Sequence, residues 1–243
     1  MRKRVFLVAL LVPFVLTGVA LAASRLEAVK PGEYDPAKTY LVQAAWLNGI
    51  GCPTAASTAA YPDTKPNGTY TDPACGTGDP KDKRNEGLLL VKTGPTTNNA
   101  AAIAELKGVK GTVLTELGYD IRKPGTELAA GARGSHCGAG APRFNVETED
   151  GGFFFIGCNS PAANVQMAGA GWVRLRWGDA TSAGLWAYTP AGVLTDIRGM
   201  TATRITIVFD EGQDAGPDNF GAAILDNIDV NGDLVGRGAT DAD

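Results

Sequence analysis

Beyond residue 86, apolar and polar positions alternate with a period of two in one short segment after another. Residues 143–149 (RFNVETE) set Phe144 and Val146 on one side. Residues 172–177 (WVRLRW) set Val173, Leu175 and Trp177 against Trp172, Arg174 and Arg176. Residues 203–210 place Ile205, Ile207 and Phe209 inward, with Arg204, Thr206 and Val208 outward. Residues 222–230 put Ile224, Asp226, Ile228 and Val230 on one face, leaving Leu225, Asn227 and Asp229 on the other. This period is that of strands with one buried side. Residues 153–157 (FFFIG) are apolar on both sides, so that strand needs a second cover or carries a binding face.

Weaker segments continue in the same style. Residues 88–91 form a short apolar run, and 112–119 and 120–122 continue the strand pattern. Residues 100–107 (AAAIAELK) suit a helix by propensity, with Asn98 or Asn99 as cap. They also suit a strand with Ile103, Glu105 and Lys107 on one side; Gly108 and Gly111 cut the run short and favour the strand. Upstream, residues 39–47 (TYLVQAAWL) read as a strand and 26–39 as a flexible lead-in. Between 49 and 86 stand Pro53, Pro62, Pro66, Pro73 and Pro80, which remove ladder donors and end regular elements.

Short strands separated by Gly, Asn, Asp and Pro, with Asp150-Gly151 as a turn, predict an all-β chain. The expected architecture is an antiparallel β-sandwich of jelly-roll type with a long loop-rich N-terminal segment. The 32 glycines among 243 residues agree with a turn-rich fold. Strands do not alternate with helices, which excludes a nucleotide-binding α/β domain. The expected divisions are a signal peptide at 1–22, a loop-rich segment at 23–85, the sandwich at 86–232 and a flexible tail at 233–243.

The first residues change the setting. Arg2, Lys3 and Arg4 precede an apolar run from Val5 to about Leu16, then Ala20 and Ala22 in an A-x-A arrangement. This is the layout of a secretory signal cut after Ala22, and the run is too short for a comfortable membrane span. Cleavage would take the net charge from −4 to −7, because three cations and no acids leave with it. An acidic chain does not suit a nucleic-acid partner. Four cysteines remain, at 52, 75, 137 and 158, and an exported chain would join them in two disulfides. Pairing Cys52–Cys75 and Cys137–Cys158 closes two loops of similar short length, the first across the proline-rich stretch. A zinc site is disfavoured, since no C-x-x-C occurs and His136 is the only histidine.

The last segment, Ile205 to Gly232, reads ITIVFDEGQDAGPDNFGAAILDNIDVNG. A strand, an acidic Gly-rich loop and a final strand with L-D-N-I-x-V resemble the C-terminal end of galactose-binding-like jelly rolls. Such domains occur in carbohydrate-binding modules and in secreted bacterial proteins. The resemblance covers about a tenth of the chain and implies fold more than activity. It also implies a glycan or cell-surface ligand, and such modules often hold a structural calcium.

Candidate chemistry is sparse. Asp210, Glu211, Asp214 and Asp218 crowd one loop beside Asp226, and calcium takes such oxygen ligands, yet the spacing matches no calcium-loop motif. A solvated acidic turn is the preferred reading, so no cofactor is expected. Asp226, on a predicted core face, needs a cation or backbone N–H donors, and the donors are preferred. Exposed aromatic rings stack on pyranose faces; Trp172, Trp186 and Tyr188 are the candidates, against the alternative of ordinary core aromatics. Neither a G-x-S-x-G elbow nor a triad around Ser135 and His136 is supported, so no catalytic residue is assigned. Glu116, Glu127, Glu147 and Glu149 carry no signature of a glycosidase pair, whose spacing belongs to the fold. The expectation is a secreted, non-catalytic recognition module, with an adhesive or structural envelope protein as the alternative and a polysaccharide hydrolase or lyase third.

Overall fold

A computed structural model describes residues 25–52, 78–93, 99–122, 142–158, 161–168, 172–179, 182–210 and 220–238. Its strands are β1 (Ala28–Tyr34), β2 (Val42–Leu47), β3 (Gly87–Thr93), β4 (Ala101–Lys107), β5 (Leu117–Arg122), β6 (Arg143–Thr148) and β7 (Phe153–Gly157). They continue as β8 (Asn164–Ala168), β9 (Trp172–Trp177), β10 (Trp186–Tyr188), β11 (Leu194–Asp196), β12 (Ala202–Phe209), β13 (Phe220–Val230) and β14 (Asp233–Val235). Sheet A runs β1-β4-β12-β6-β7-β10-β11 and sheet B runs β2-β3-β13-β5-β9-β8, with β14 beside β13; the pairings are antiparallel. No helix occurs among the described residues. The result is an all-β sandwich of jelly-roll type, as the alternation predicts.

The core keeps to the period of two. From sheet A come Ala102, Ala104, Leu106, Phe144, Val146, Phe154, Ile156, Ile205, Ile207 and Phe209. Sheet B answers with Leu88, Leu90, Tyr119, Ile121, Val173, Leu175 and Trp177. Tyr119 packs against Phe144 and Trp177 with ring centroids 5.4 Å from each, and its hydroxyl donates to the Pro142 carbonyl at 2.8 Å. A buried tyrosine thus keeps its polar end satisfied. Residues 101–107 form a strand, and Ile103, Glu105 and Lys107 do share its outward side.

Three expectations are corrected. The lead-in is not free: β1 pairs with β4 over seven residues and Val29 is fully buried. Likewise β14 lies within the stretch expected to be a tail. So the sandwich draws on both the 23–85 and the 233–243 stretches. Second, the parity along β13 breaks. Asn227 adopts φ +44°, and the register with β5 shifts between Asp226 and Asp229. This bulge puts Ala223, Leu225, Ile228 and Val230 in the core and turns Ile224 and Asp226 to the other side of sheet B. Third, that other side is covered. Gly49 and Gly51 donate to the Arg84 and Asn85 carbonyls, and Cys52 N–H donates to Asp226 at 2.6 Å. Asp79 N–H donates to Asn227 at 3.0 Å. The described parts of the loop-rich segment, 49–52 and 78–86, therefore strap sheet B, whereas Phe153 and Phe155 belong to sheet A.

Beneath the strap lies a buried ionic row. Asp120, fully buried, takes a two-pronged bond from Arg174 at 2.8 and 2.9 Å. Asn227 Nδ2 adds a third bond at 2.9 Å, and Arg176 reaches Asp229 at 3.0 Å. Asp226 accepts from the N–H groups of Cys52 and Asn227, the donor type expected for it. A Cβ on Gly236 would sit 2.5 Å from Asp226 Oδ1, so only glycine admits the carboxylate there. Burial first, then the charge of Asp120, pushes the Asp226 carboxyl well above its ordinary range. Cys52 and Cys158 are disulfide-bonded; Cys75 and Cys137, their expected partners, lie outside the described residues.

Candidate functional site: the open face of sheet A

Sheet B is strapped, whereas the outward side of sheet A carries a groove of about 670 Å³. Strand alternation aims its residues. With Phe144 and Val146 in the core, Arg143, Asn145 and Glu147 of β6 point out. Arg204, Thr206 and Val208 of β12 do so for the same reason, as do Ile103 of β4 and Phe153 of β7. Tyr34, 56% exposed, stands at the β1 end.

Register orders the floor across the strands. Glu105 pairs with Thr206, Thr206 with Asn145, Asn145 with Phe155 and Phe155 with Tyr188. A carboxylate, a hydroxyl, an amide and two rings thus lie side by side, at about 4.8 Å per strand. Phe153 and Phe155 meet edge to face with centroids 5.0 Å apart. The Arg143 guanidinium lies 5.8 Å from the Phe155 ring centre and covers part of it. On β10, Ala187 is in the core, so Trp186 and Tyr188 face out beyond the phenylalanines. Leu185 N–H donates to Asp196 at 2.9 Å and ties the β10–β11 hairpin that holds them.

Charges in the groove are matched. Arg143 grips Asp210 through two bonds of 2.6 and 2.5 Å. Arg204 stands between Glu105 at 3.8 Å and Glu147 at 3.6 Å. Burial raises the Asp210 carboxyl, but the bond and charge of Arg143, aided by the charge of Lys92, hold it below its ordinary value. It stays an acceptor and is poorly suited to give up a proton at neutral pH. Asn145 Oδ1 is buried and has no hydrogen-bond partner.

The sequence candidates separate. Trp186 is 40% exposed and Tyr188 half-buried, on the same face as the groove. Trp172 is corrected: it is fully buried against Cys52 and Ile224 under the strap, with no face free for a sugar ring. Asp210 follows the end of β12 in sheet A and Asp226 lies on β13 of sheet B, with different partners, and no group of three metal-ligating side chains gathers among the described residues. Glu211, Asp214 and Asp218 lie outside those residues, as do Glu127, Ser135 and His136. Asn145, Arg143 and Tyr34 escaped sequence reasoning. Alternation could have aimed Asn145 outward, but only cross-strand register sets it beside Thr206 and Phe155. A second hollow, about 680 Å³, lies between Arg25, Lys81 and the β13–β14 turn. It is lined by charges of both signs and holds no ring.

Fold and site together define a two-layer antiparallel β-sandwich with a ring-flanked polar groove on one sheet. No family model and no curated protein matches the chain. Among solved structures it is similar to a family 11 carbohydrate-binding module from Clostridium thermocellum in complex with a β-1,3-1,4-mixed-linked tetrasaccharide. The two share 11% identity over 88% of this chain and 91% of that one, with a TM-score of 0.38. The family 11 module of a cellulosomal cellulase from the same organism gives 10% identity, 89% and 92% coverage and a TM-score of 0.36. A β-1,2-glucanase from Parabacteroides distasonis gives 13% identity over 86% of this chain but 24% of its own, with a TM-score of 0.35. No residue role is transferred from any of them.

Proposed function

We propose that the protein is an exported recognition module that binds carbohydrate along the open face of sheet A and carries no chemistry of its own. The observation behind this reading is the pairing of outward rings (exposed Tyr34 and Trp186, half-buried Phe153) with a polar floor of Thr206 and Asn145. Rings cover the apolar faces of sugars, and the floor meets their hydroxyls. The carboxylates of the groove, Glu147 and Asp210, are each engaged by a guanidinium, which suits binding better than proton transfer. Export through the leader at 1–22 and the pairing Cys52–Cys75 with Cys137–Cys158 complete the proposal. Affinity electrophoresis of the chain from residue 23 on a polysaccharide panel tests it. Retardation by a polysaccharide, weakened in Trp186→Ala and Phe153→Ala, is expected; migration unchanged on every polysaccharide would refute it.

A second reading, an adhesive or structural envelope protein, is favoured by Val193 and Leu194, 58% and 46% exposed at the β11 edge of sheet A, where Leu194 pairs with Tyr188. Concentration-dependent self-association in sedimentation that is lost in Leu194→Lys would support it over the first.

A further inference from the structure

The electrostatics of the groove narrow the class of ligand beyond what its shape does, provided that the groove binds carbohydrate at all. We infer that the groove selects an uncharged, hydroxyl-rich chain over an acidic one, and that Asn145 is the residue that reads it.

Charge comes first. The ionisable side chains lining the groove, outside Tyr34, are Arg143, Arg204, Glu147 and Asp210, two of each sign. A sugar carboxylate or sulfate would need a free cation. Arg143 already spends both terminal nitrogens on Asp210, in the two-pronged geometry an incoming carboxylate would require. Arg204 lies within 4 Å of two carboxylates. An acidic ligand would have to break these pairs or sit beside Asp210 and Glu147 unpaired, and like charges brought together at an interface are costly. The chain as a whole is also acidic, at −4, so its long-range field gives no attraction to a polyanion.

Asn145 supplies the positive preference. Its Oδ1 is a buried acceptor without a donor, a state that costs free energy unless a partner arrives. Asn145 lines the groove and is itself only half-buried. Across the strands its neighbours are Thr206, a hydroxyl, and Phe155, a ring. A sugar lying over this row can donate a hydroxyl to Oδ1 once the Asn145 amide turns that oxygen toward the groove, while the sugar's apolar face meets the rings. Hydroxyls of an acidic sugar could donate to the same atom, so Asn145 reads the hydroxyl, and the rejection of acidic chains rests on the engaged arginines and the carboxylates beside them.

The test is affinity electrophoresis and calorimetry with a mixed-linkage β-glucan, a galactomannan and polygalacturonate, at low and high salt. The expected result is retention by a neutral polysaccharide, little changed by salt, and none by polygalacturonate. Asn145→Leu should weaken retention by about tenfold, the scale of one buried hydrogen bond. Its melting temperature should not fall, because the substitution removes an unsatisfied acceptor from an outward position. Preferential retention by polygalacturonate that fades with salt would overturn the charge selection while leaving carbohydrate binding intact. Undiminished retention of Asn145→Leu would overturn the role of Asn145. Absence of retention by all three would take down the carbohydrate reading itself, and this inference with it.

Discussion

Single residues carry the heaviest loads where a polar group meets a buried place. Asn227 bends β13 at φ +44°, accepts from Asp79 N–H and donates to Asp120. Asn227→Ala would lose two buried hydrogen bonds and keep the strained backbone, so a loss of about 2–4 kcal/mol is expected in urea titrations. Asp120→Ala should cost about 3–5 kcal/mol, because it strands the Arg174 and Arg176 guanidinium groups in a covered site. On the other sheet, Trp186→Ala should leave stability nearly unchanged, since its ring is 40% exposed, and should cut polysaccharide retention. These residues differ in how far the sequence announced them. Trp186 was legible as an aromatic on a short strand. Trp172 read the same way, yet it lies under a loop that no local pattern could place over it. The need of Asp226 for backbone donors was legible from its charge; which donors meet it depends on a contact between residues 52 and 226.

At the scale of elements, alternation served well where strands are regular. β6, β9 and β12 present the faces their sequences predict, and β4 settles as a strand because Ala102, Ala104 and Leu106 find the core. β13 escaped because a bulge resets the count of two halfway along, and a bulge leaves little mark in composition. β1 escaped because Pro31 and Gly32 weaken its pattern; its place comes from pairing with β4. The junction of β5 with the β13–β14 turn carries a pH response. Burial, then the charge of Asp229, lifts the Glu116 carboxyl to about 7. The folded state then holds a proton that the unfolded chain releases near 4.5. Stability from this group is complete below that pH and is lost as pH rises through about 7. Glu116→Gln should flatten the melting temperature between about pH 5 and pH 8; an unchanged slope would remove Glu116 as its source.

At the scale of the whole molecule, the two sheets are unequal. Sheet B is strapped and holds buried acids, whereas the outward face of sheet A carries a groove. Asp82, raised by burial to about 6, and Asp226, raised well above 3.8, add to the Glu116 response with the same sign. Asp210, held low, opposes them only under more acidic conditions. Thermal melts should therefore show greater stability at about pH 5 than at pH 8, with a fall again below about pH 4. Reducing agent should lower the melting temperature, since loss of a disulfide in a domain of this kind costs about 2–5 kcal/mol. The amino-acid order alone determined the fold class, most strands and most core faces, because a pleated strand needs only local alternation to choose its buried side. It also pointed to export and to aromatic recognition. Which sheet is covered, which tryptophan stays open and which acids are buried were decided by the tertiary structure. Those outcomes depend on loops and registers joining residues far apart in the chain, as Cys52 meets Asp226, and side-chain order along one segment holds no record of such pairings.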